Sequence, residues 1–306
     1  MRTILLWMAR NAWLKERVPR LRFVRRAVRS FMPGEDLASA IAAAKTTRAG
    51  GVTAAFTRLG ENVTDPSEAD AVAAHYLTVL DEIDANKLDA EVSIKLTQLG
   101  YDLDVEAALR HFEAIAERAA EIGTFAWIDM EGSDYVEGTI AFYERVRAGH
   151  ENVGLCLQAY LHRTPADVQR LLPLRPAIRL VKGAYAEPTA IAYHAKREVD
   201  AAFLGIATTF IQAVRDGGAR FQAGTHDVDL VEQIARSGGA IGLEPTQIEV
   251  EMLYGIRVDQ QRKLAARGFK VRCLIAYGEH WYPWYMRRLA ERPANVLFAL
   301  RQILPW

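Results

Sequence analysis

Cysteine is nearly absent from this chain. Cys156 and Cys273 are the only two among 306 residues, and both sit inside apolar runs. That argues against a disulfide scaffold or a cysteine-built metal site and points to buried thiols. Histidine is sparse as well: the seven histidines do not cluster at ligand spacing, which disfavours a metal hydrolase built on His226, Asp227, Asp129 and Glu131. No metal is expected. Net charge is absent, 38 basic residues facing 38 acidic ones, so nothing global points to nucleic acid. No apolar run is long enough to cross a bilayer. Ile4-Leu5-Leu6-Trp7-Met8 is too short for the core of a secretion signal, and no small-residue cleavage site follows it. A cytoplasmic location is therefore expected. Low-complexity tracts and obvious linkers are missing too.

What is present divides at about residue 34. The first segment, 1–34, carries Arg2, Arg10, Lys15, Arg17, Arg20, Arg22, Arg25, Arg26 and Arg29 against the single acid Glu16. Leu21, Val24 and Val28 recur beside them at helical spacing. Two readings stand: a solvated helix packed on the body of the protein, or a basic amphipathic helix that meets an anionic membrane or a partner.

From 35 to 306 the pattern is regular. Half of all residues are hydrophobic, and short β-rich runs alternate with longer helical ones, as in a parallel sheet covered by helices. Eight strands are predicted: Val52–Thr57, Glu91–Leu96, Phe125–Met130, Val153–Ala159, Ile178–Lys182, Phe221–Thr225, Gln247–Glu251 and Val271–Tyr277. The seventh is the weakest, because Gly242-Leu243-Glu244-Pro245 interrupts it. Helices are predicted over Ser67–Ile83, Val105–Ile122, Val136–Ala148, Ala166–Leu172, Glu198–Asp216, Val228–Ser237 and Asp259–Arg267. Eight strand–helix units in one α/β chain predict a distorted (β/α)8 TIM-type barrel with extra N-terminal helices, and about 250 residues suffice for one. A Rossmann domain is disfavoured, since no G-x-G-x-x-G follows the first strand.

Barrel chemistry gathers at the carboxyl ends of the strands. There the sequence places Lys95, then Asp129-Met130-Glu131, Gln158, Arg179 and Lys182, Thr225-His226-Asp227, Glu249 and Glu251, and finally Tyr277. Charges inside apolar strands are costly unless paired or gathered at a site. A single one reads as structural; seven strand ends with polar or charged groups converging on one face predict a polar pocket. After Pro283, Arg287 and Arg288 lie near a helix N-terminus, where cations need a negative partner. Glu291 stands one turn from Arg287 and can hold it. Arg288 is then left either for a substrate carboxylate or as part of a solvated basic face.

Several segments together resemble the proline dehydrogenase family, in its single-function bacterial form. They are Ser93-Ile94-Lys95-Leu96, Ile128-Asp129-Met130-Glu131, Leu157-Gln158-Ala159-Tyr160, Arg179-Leu180-Val181-Lys182-Gly183-Ala184-Tyr185, Gly224-Thr225-His226-Asp227, Met252-Leu253-Tyr254-Gly255 and Arg287-Arg288-Leu289-Ala290-Glu291-Arg292-Pro293. The resemblance implies FAD held on the barrel mouth, with Met130, Gln158, Arg179, Lys182, Gly183, Ala184, Thr225 and His226 as the flavin-contacting set. It implies Lys95, Arg287 and Arg288 as the carboxylate-binding set, Glu291 bracing Arg287, and Asp129 as an acid near the amine and Lys95. The implied reaction takes hydride from the proline ring carbon beside nitrogen to flavin N5, yields pyrroline-5-carboxylate, and sends electrons to a membrane quinone. A downstream pyrroline-5-carboxylate dehydrogenase is the implied recipient of the product. The basic N-terminal helix would then serve a peripheral encounter at the inner face of the membrane.

The chain departs from the family pattern at three places. Leu274 stands where the family has a tyrosine beside the substrate ring, so Tyr277 does not inherit that role and altered tolerance for hydroxyproline is expected. Glu251 stands where the family tends to have Gln. Ala186 stands where some relatives carry Trp. Three other readings of the residues remain at this point. Lys95 or Lys182 could form a Schiff base in a lyase. The barrel could bind flavin without turnover. Lys95 could only pair with Asp129, and His226 could only cap the following helix.

Overall fold

The computed structural model describes residues 30–282 and 284–286, together with Asn11, Arg17 and Val28. Eight strands pair in parallel, each with the next, and the eighth returns to the first to close a barrel. They are β1 (Thr53–Arg58), β2 (Ala90–Ile94), β3 (Ala126–Ile128), β4 (Val153–Gln158), β5 (Ala177–Val181), β6 (Arg220–Gly224), β7 (Glu249–Leu253) and β8 (Lys270–Tyr277). The helices are α1 (Leu37–Arg48) ahead of the barrel, then α2 (Pro66–Ala85), α3 (Val105–Glu121), α4 (Val136–Arg147), α5 (Thr164–Leu171), α6 (Lys196–Arg215), α7 (Val228–Ala240) and α8 (Val258–Ala266) between successive strands. The predicted (β/α)8 barrel is the observed one.

Local chemistry sets most boundaries. Asp36, Asp65 and Asp104 accept backbone N–H bonds at the starts of α1, α2 and α3. Pro66 opens α2, where its missing N–H and fixed φ suit the first turn. β7 begins two residues later than the sequence pattern predicts. Pro245–Gln247 forms a short 3-10 turn closed by a capping box between Glu244 and Gln247, which uses up Gln247 before extension starts.

α1 is the helix that the sequence pattern missed. Its buried side is Ala40, Ile41, Ala43 and Ala44, so small side chains give it little apolar periodicity. It packs against β8 and β1 and covers the seam between them. The chain after β8 lies elsewhere: Trp281, Tyr282, Trp284, Tyr285 and Met286 form a second cluster with Val28, Phe31, Met32, Leu59 and Ala276. Leu59 follows β1 and Ala276 is near the end of β8, so this cluster lies at the carboxyl end of the barrel.

Barrel interiors are usually filled by branched apolar layers. Here the register aligns Cys156 with Arg179, Arg179 with Gln222, Gln222 with Glu249, and Glu251 with Arg272. Aligned residues share a face, and alternate residues point inward. The result is a buried ionic core. Arg220 grips Glu249 at 2.8 and 2.6 Å and reaches Glu91 at 2.5 Å. Glu91 also accepts from Trp127 at 2.7 Å and Gln222 at 3.1 Å, and lies 3.2 Å from Arg272. Each buried carboxylate in this lower layer is met by at least one guanidinium, which offsets the loss of water around it.

Candidate active site

Arg179 occupies the centre of the upper half of the barrel. It is only 2 % exposed. Its Nη1 donates to Ser93 Oγ at 2.7 Å and lies 3.2 Å from Asp129 Oδ1. Ser93 in turn donates to Asp129 Oδ1 at 2.5 Å. Its Nε lies 3.0 Å from Glu251 Oε1, and the guanidinium carbon stands 4.8 Å from the Trp127 ring centre. Burial works against its charge, yet Glu251 and Asp129 outweigh burial and hold it above its ordinary range. Two anions, one hydroxyl and an aromatic face thus fix the plane of one guanidinium.

Three atoms near this constellation are buried and have no hydrogen-bond partner among the described residues: Arg179 Nη2, Gln158 Oε1 and Glu251 Oε2. A buried donor or acceptor left alone costs about 1–3 kcal/mol. The donor on Arg179 and the acceptor on Gln158 suit a ligand that carries both kinds of group, as a flavin ring does. Gln158 is held by its other end, with Nε2 donating to the carbonyls of Glu131 and Met130 at 3.1 and 3.4 Å. Glu131 accepts from the Thr97 amide and hydroxyl at 3.2 and 2.8 Å. Its carboxyl is raised by burial, against the opposing pull of Lys95.

The structure rearranges several expected pairings. Lys95 was expected near Asp129; its ammonium instead meets Glu61 at 3.0 Å and the Gly60 carbonyl at 3.4 Å, while Asp129 belongs to Arg179. Glu61 escaped the sequence reading because it lies in the loop beyond β1, past the predicted end of that strand. Lys182 meets Asp200 at 2.5 Å and Asp227 at 3.0 Å, and Lys196 contacts the same two carboxylates. Burial would raise Asp227, but the bonds from Lys182 outweigh it and bring the carboxyl down to about 2. Both lysines proposed for a Schiff base are therefore engaged in salt bridges with carboxylates. Among the described residues, no group of His, Cys, Asp or Glu is arranged to hold a metal ion.

Gly183 has φ +112, a conformation that L side chains rarely adopt. A Cβ there would collide with the Tyr160 ring. The close neighbour that the missing side chain admits in this structure is the Tyr160 ring. Ala184 follows directly. Thr225 is buried at the end of β6; its amide donates to the Glu251 carbonyl at 3.1 Å and its hydroxyl accepts from the Asp227 amide at 3.1 Å. α7 starts just beyond His226 and Asp227 with no side-chain cap, so its first amides are open to an anion.

On β8, Leu274 aligns with Ala55 and Leu253 and shares the inward parity of Arg272. Tyr277 has the opposite parity. It is buried against α2, its hydroxyl 2.8 Å from His75 Nε2. Burial, with Arg58 adding, pushes that histidine down to about 4. Tyr277 therefore cannot stand in for an aromatic group at Leu274. Arg287, Arg288 and Glu291 lie outside the described residues, as does nearly all of the basic segment at the start of the chain.

A closed parallel barrel with buried cations and carboxylates converging at the carboxyl ends of its strands defines an α/β-barrel enzyme. The family profile described as "Proline dehydrogenase" matches residues 40–301. Proline dehydrogenase 1 of Bacillus subtilis (strain 168) is 34% identical over 304 residues, covering 99% of each chain. Proline dehydrogenase of Deinococcus radiodurans is 34% identical over 279 residues, covering 90% of this chain and 89% of its own. The solved proline utilization A of Bdellovibrio bacteriovorus, inactivated by N-propargylglycine, superposes with a TM-score of 0.80 at 20% identity, over 94% of this chain and 38% of that one. The chain belongs to the proline dehydrogenase family, oxidoreductases that act on proline.

Proposed function

We propose that this chain oxidises L-proline to pyrroline-5-carboxylate with FAD held at the carboxyl end of the barrel, in the catabolism of proline toward glutamate. The observation that carries the flavin is Arg179: a buried guanidinium fixed on all sides except at Nη2. FAD, when bound, supplies the two-electron acceptor. Arg179 would direct Nη2 to the reactive nitrogen and stabilise negative charge there. Gln158 would offer Oε1 to the cofactor, and Met130, Gly183 and Ala184 would line its surface. Thr225, His226 and the open amides of α7 would receive the pyrophosphate. Lys182 would act through its ion pairs with Asp200 and Asp227, steadying the β5 and β6 ends.

Lys95, with Arg287 and Arg288, would bind the substrate carboxylate, and Glu291 would brace Arg287. Glu61 would hold the Lys95 ammonium in place. Asp129 would lie near the substrate amine. In the reaction the ring carbon beside nitrogen gives up hydride, the nitrogen gives up a proton, and a C=N bond forms. Orientation and exclusion of water are the protein's contribution. A membrane quinone would take the electrons, and a pyrroline-5-carboxylate dehydrogenase would take the product. Segment 1–34 would provide a peripheral membrane contact. A second reading, wider tolerance for substituted rings such as hydroxyproline, is favoured by Leu274 on the inner face of β8.

Purified protein should be yellow and should bleach when proline is added without oxygen. Arg179→Met should slow that bleaching by roughly 10²–10³-fold, the effect of losing one preorganised charge stabiliser. Colourless protein, or an Arg179→Met variant that bleaches at the parent rate, would defeat the reading.

A further inference from the structure

The upper and lower layers of the barrel interior hold three arginines, Arg179, Arg220 and Arg272, and four carboxylates, Glu91, Glu249, Glu251 and Asp129. The anions are not served equally. Glu91 has Arg220, Arg272, Trp127 and Gln222, and Glu249 has both arms of Arg220. Asp129 has Arg179 and the Ser93 hydroxyl. Glu251 has Arg179 Nε alone, on a guanidinium it shares with Asp129, and its Oε2 is buried without a hydrogen-bond partner among the described residues. It is 4 % exposed. A carboxylate with one contacting cation, itself shared, and a bare oxygen is the group in this set most easily neutralised by a proton.

We propose that Glu251 is a positioning residue that exchanges a proton as the charge beyond Arg179 changes, and so sets how much of the guanidinium's positive charge is presented to the flavin. This rests on the flavin reading above. When the cofactor side gains negative charge, Arg179 is drawn toward it. Glu251 then loses part of its counter-charge, and Oε2 takes a proton from solvent. Return of the cofactor to its starting charge releases that proton to solvent. No electron moves on the protein. The groups bearing on Glu251 are Arg179 from β5, Arg272 from β8, Glu91 from β2 and Asp129 beyond β3, with the thiols of Cys156 on β4 and Cys273 on β8 nearby. Burial pushes its carboxyl up to about 7; Arg179 and Arg272 oppose the rise, and Glu91 and Asp129 add to it. Both thiols are raised by burial and stay neutral in this range.

The test compares the wild-type holoprotein with E251Q, which keeps the shape and loses the titration. A carboxyl raised in the folded state stabilises the fold at low pH, and that contribution is lost as pH rises through the folded value. Relative to E251Q, the wild-type Tm should therefore fall between about pH 5 and about pH 8. The flavin midpoint potential should show a break near neutral pH in the wild type that is lost in E251Q. The infrared difference spectrum on reduction should contain a carboxyl C=O band that E251Q lacks. Parallel Tm profiles overturn the proton exchange, and superimposable potential–pH curves overturn its effect on the cofactor. Should E251Q fail to fold, the infrared band in wild-type protein labelled with carbon-13 glutamate decides instead, its absence counting against the proposal. Colourless protein sinks the flavin reading and the redox half of this proposal together, while the Tm profiles still judge the proton half.

Discussion

At Leu274 the parity of β8 decides which side chain meets the barrel interior. Inward residues alternate along a strand, so Arg272 and Leu274 face one way while Cys273, Ile275 and Tyr277 face the other. The nearest tyrosine is thus committed to His75 on the outer side, three residues away and on the wrong face. Leu274→Tyr should put a ring and hydroxyl back on the inner face. The expected outcome is tighter selection for unsubstituted proline: KM for proline falls or holds, while kcat/KM for hydroxyproline drops by roughly 10-fold, about the worth of one contact. Equal ratios before and after the change, measured by anaerobic flavin reduction, would count against a substrate-side role for this position. The same residue-scale logic explains which candidate site residues were legible. Arg179, Asp129 and Gln158 announced themselves as polar residues at strand ends. Glu61 did not, because a carboxylate in a loop looks solvated until the partner reaching it from β2 is known.

Among the elements, α1 and β7 carry the clearest lessons. β7 was displaced because a proline-led turn and its capping box compete locally with extension, and a hydrophobicity pattern does not register capping. α1 was invisible because alanine buries little area and gives a weak stripe. Its start is nonetheless marked chemically: Asp36 Oδ1 accepts the Ser39 amide at 2.7 Å and Oδ2 accepts its hydroxyl at 3.1 Å. A short helix with a small apolar face depends more than most on its cap. Asp36→Ala should cost about 1 kcal/mol. Chemical denaturation should show a lower midpoint with an unchanged slope, since the barrel itself stays intact. An unaltered midpoint would mean that docking on β8 and β1 alone secures this helix.

For the molecule as a whole, the number, order and closure of strands were all readable from alternating patterns, because each strand is bounded by its own turn chemistry and each helix by its own period. The ionic core was not. Arg220, Arg272 and Glu91 sit on three different strands, and only register brings them together. Sequence spacing alone does not say which residue of one strand lies opposite which residue of another. The start of the chain also joins the whole at a definite place. Val28, Phe31 and Met32 are buried with Trp281 and Tyr285, and Gly255 lies directly against the Ser30 carbonyl. Removal of residues 1–27 leaves every described member of that cluster in the chain, whereas a cut at residue 34 would remove Val28, Phe31 and Met32. The 1–27 deletion should keep its flavin and its proline-dependent bleaching but lose binding to anionic phospholipid vesicles. Retained sedimentation with vesicles would remove the basis for a membrane role.

The seam covered by α1 also has a consequence in time. The helix is among the first parts of the barrel to be synthesised, yet the groove that receives it needs β8, the last strand made. Until β8 arrives, β1 exposes an open edge and α1 has only the β1 side of its groove to pack on. Ring closure must therefore wait for β8 to leave the ribosome, and the nascent barrel passes through a stage in which an unpaired strand is open to strangers.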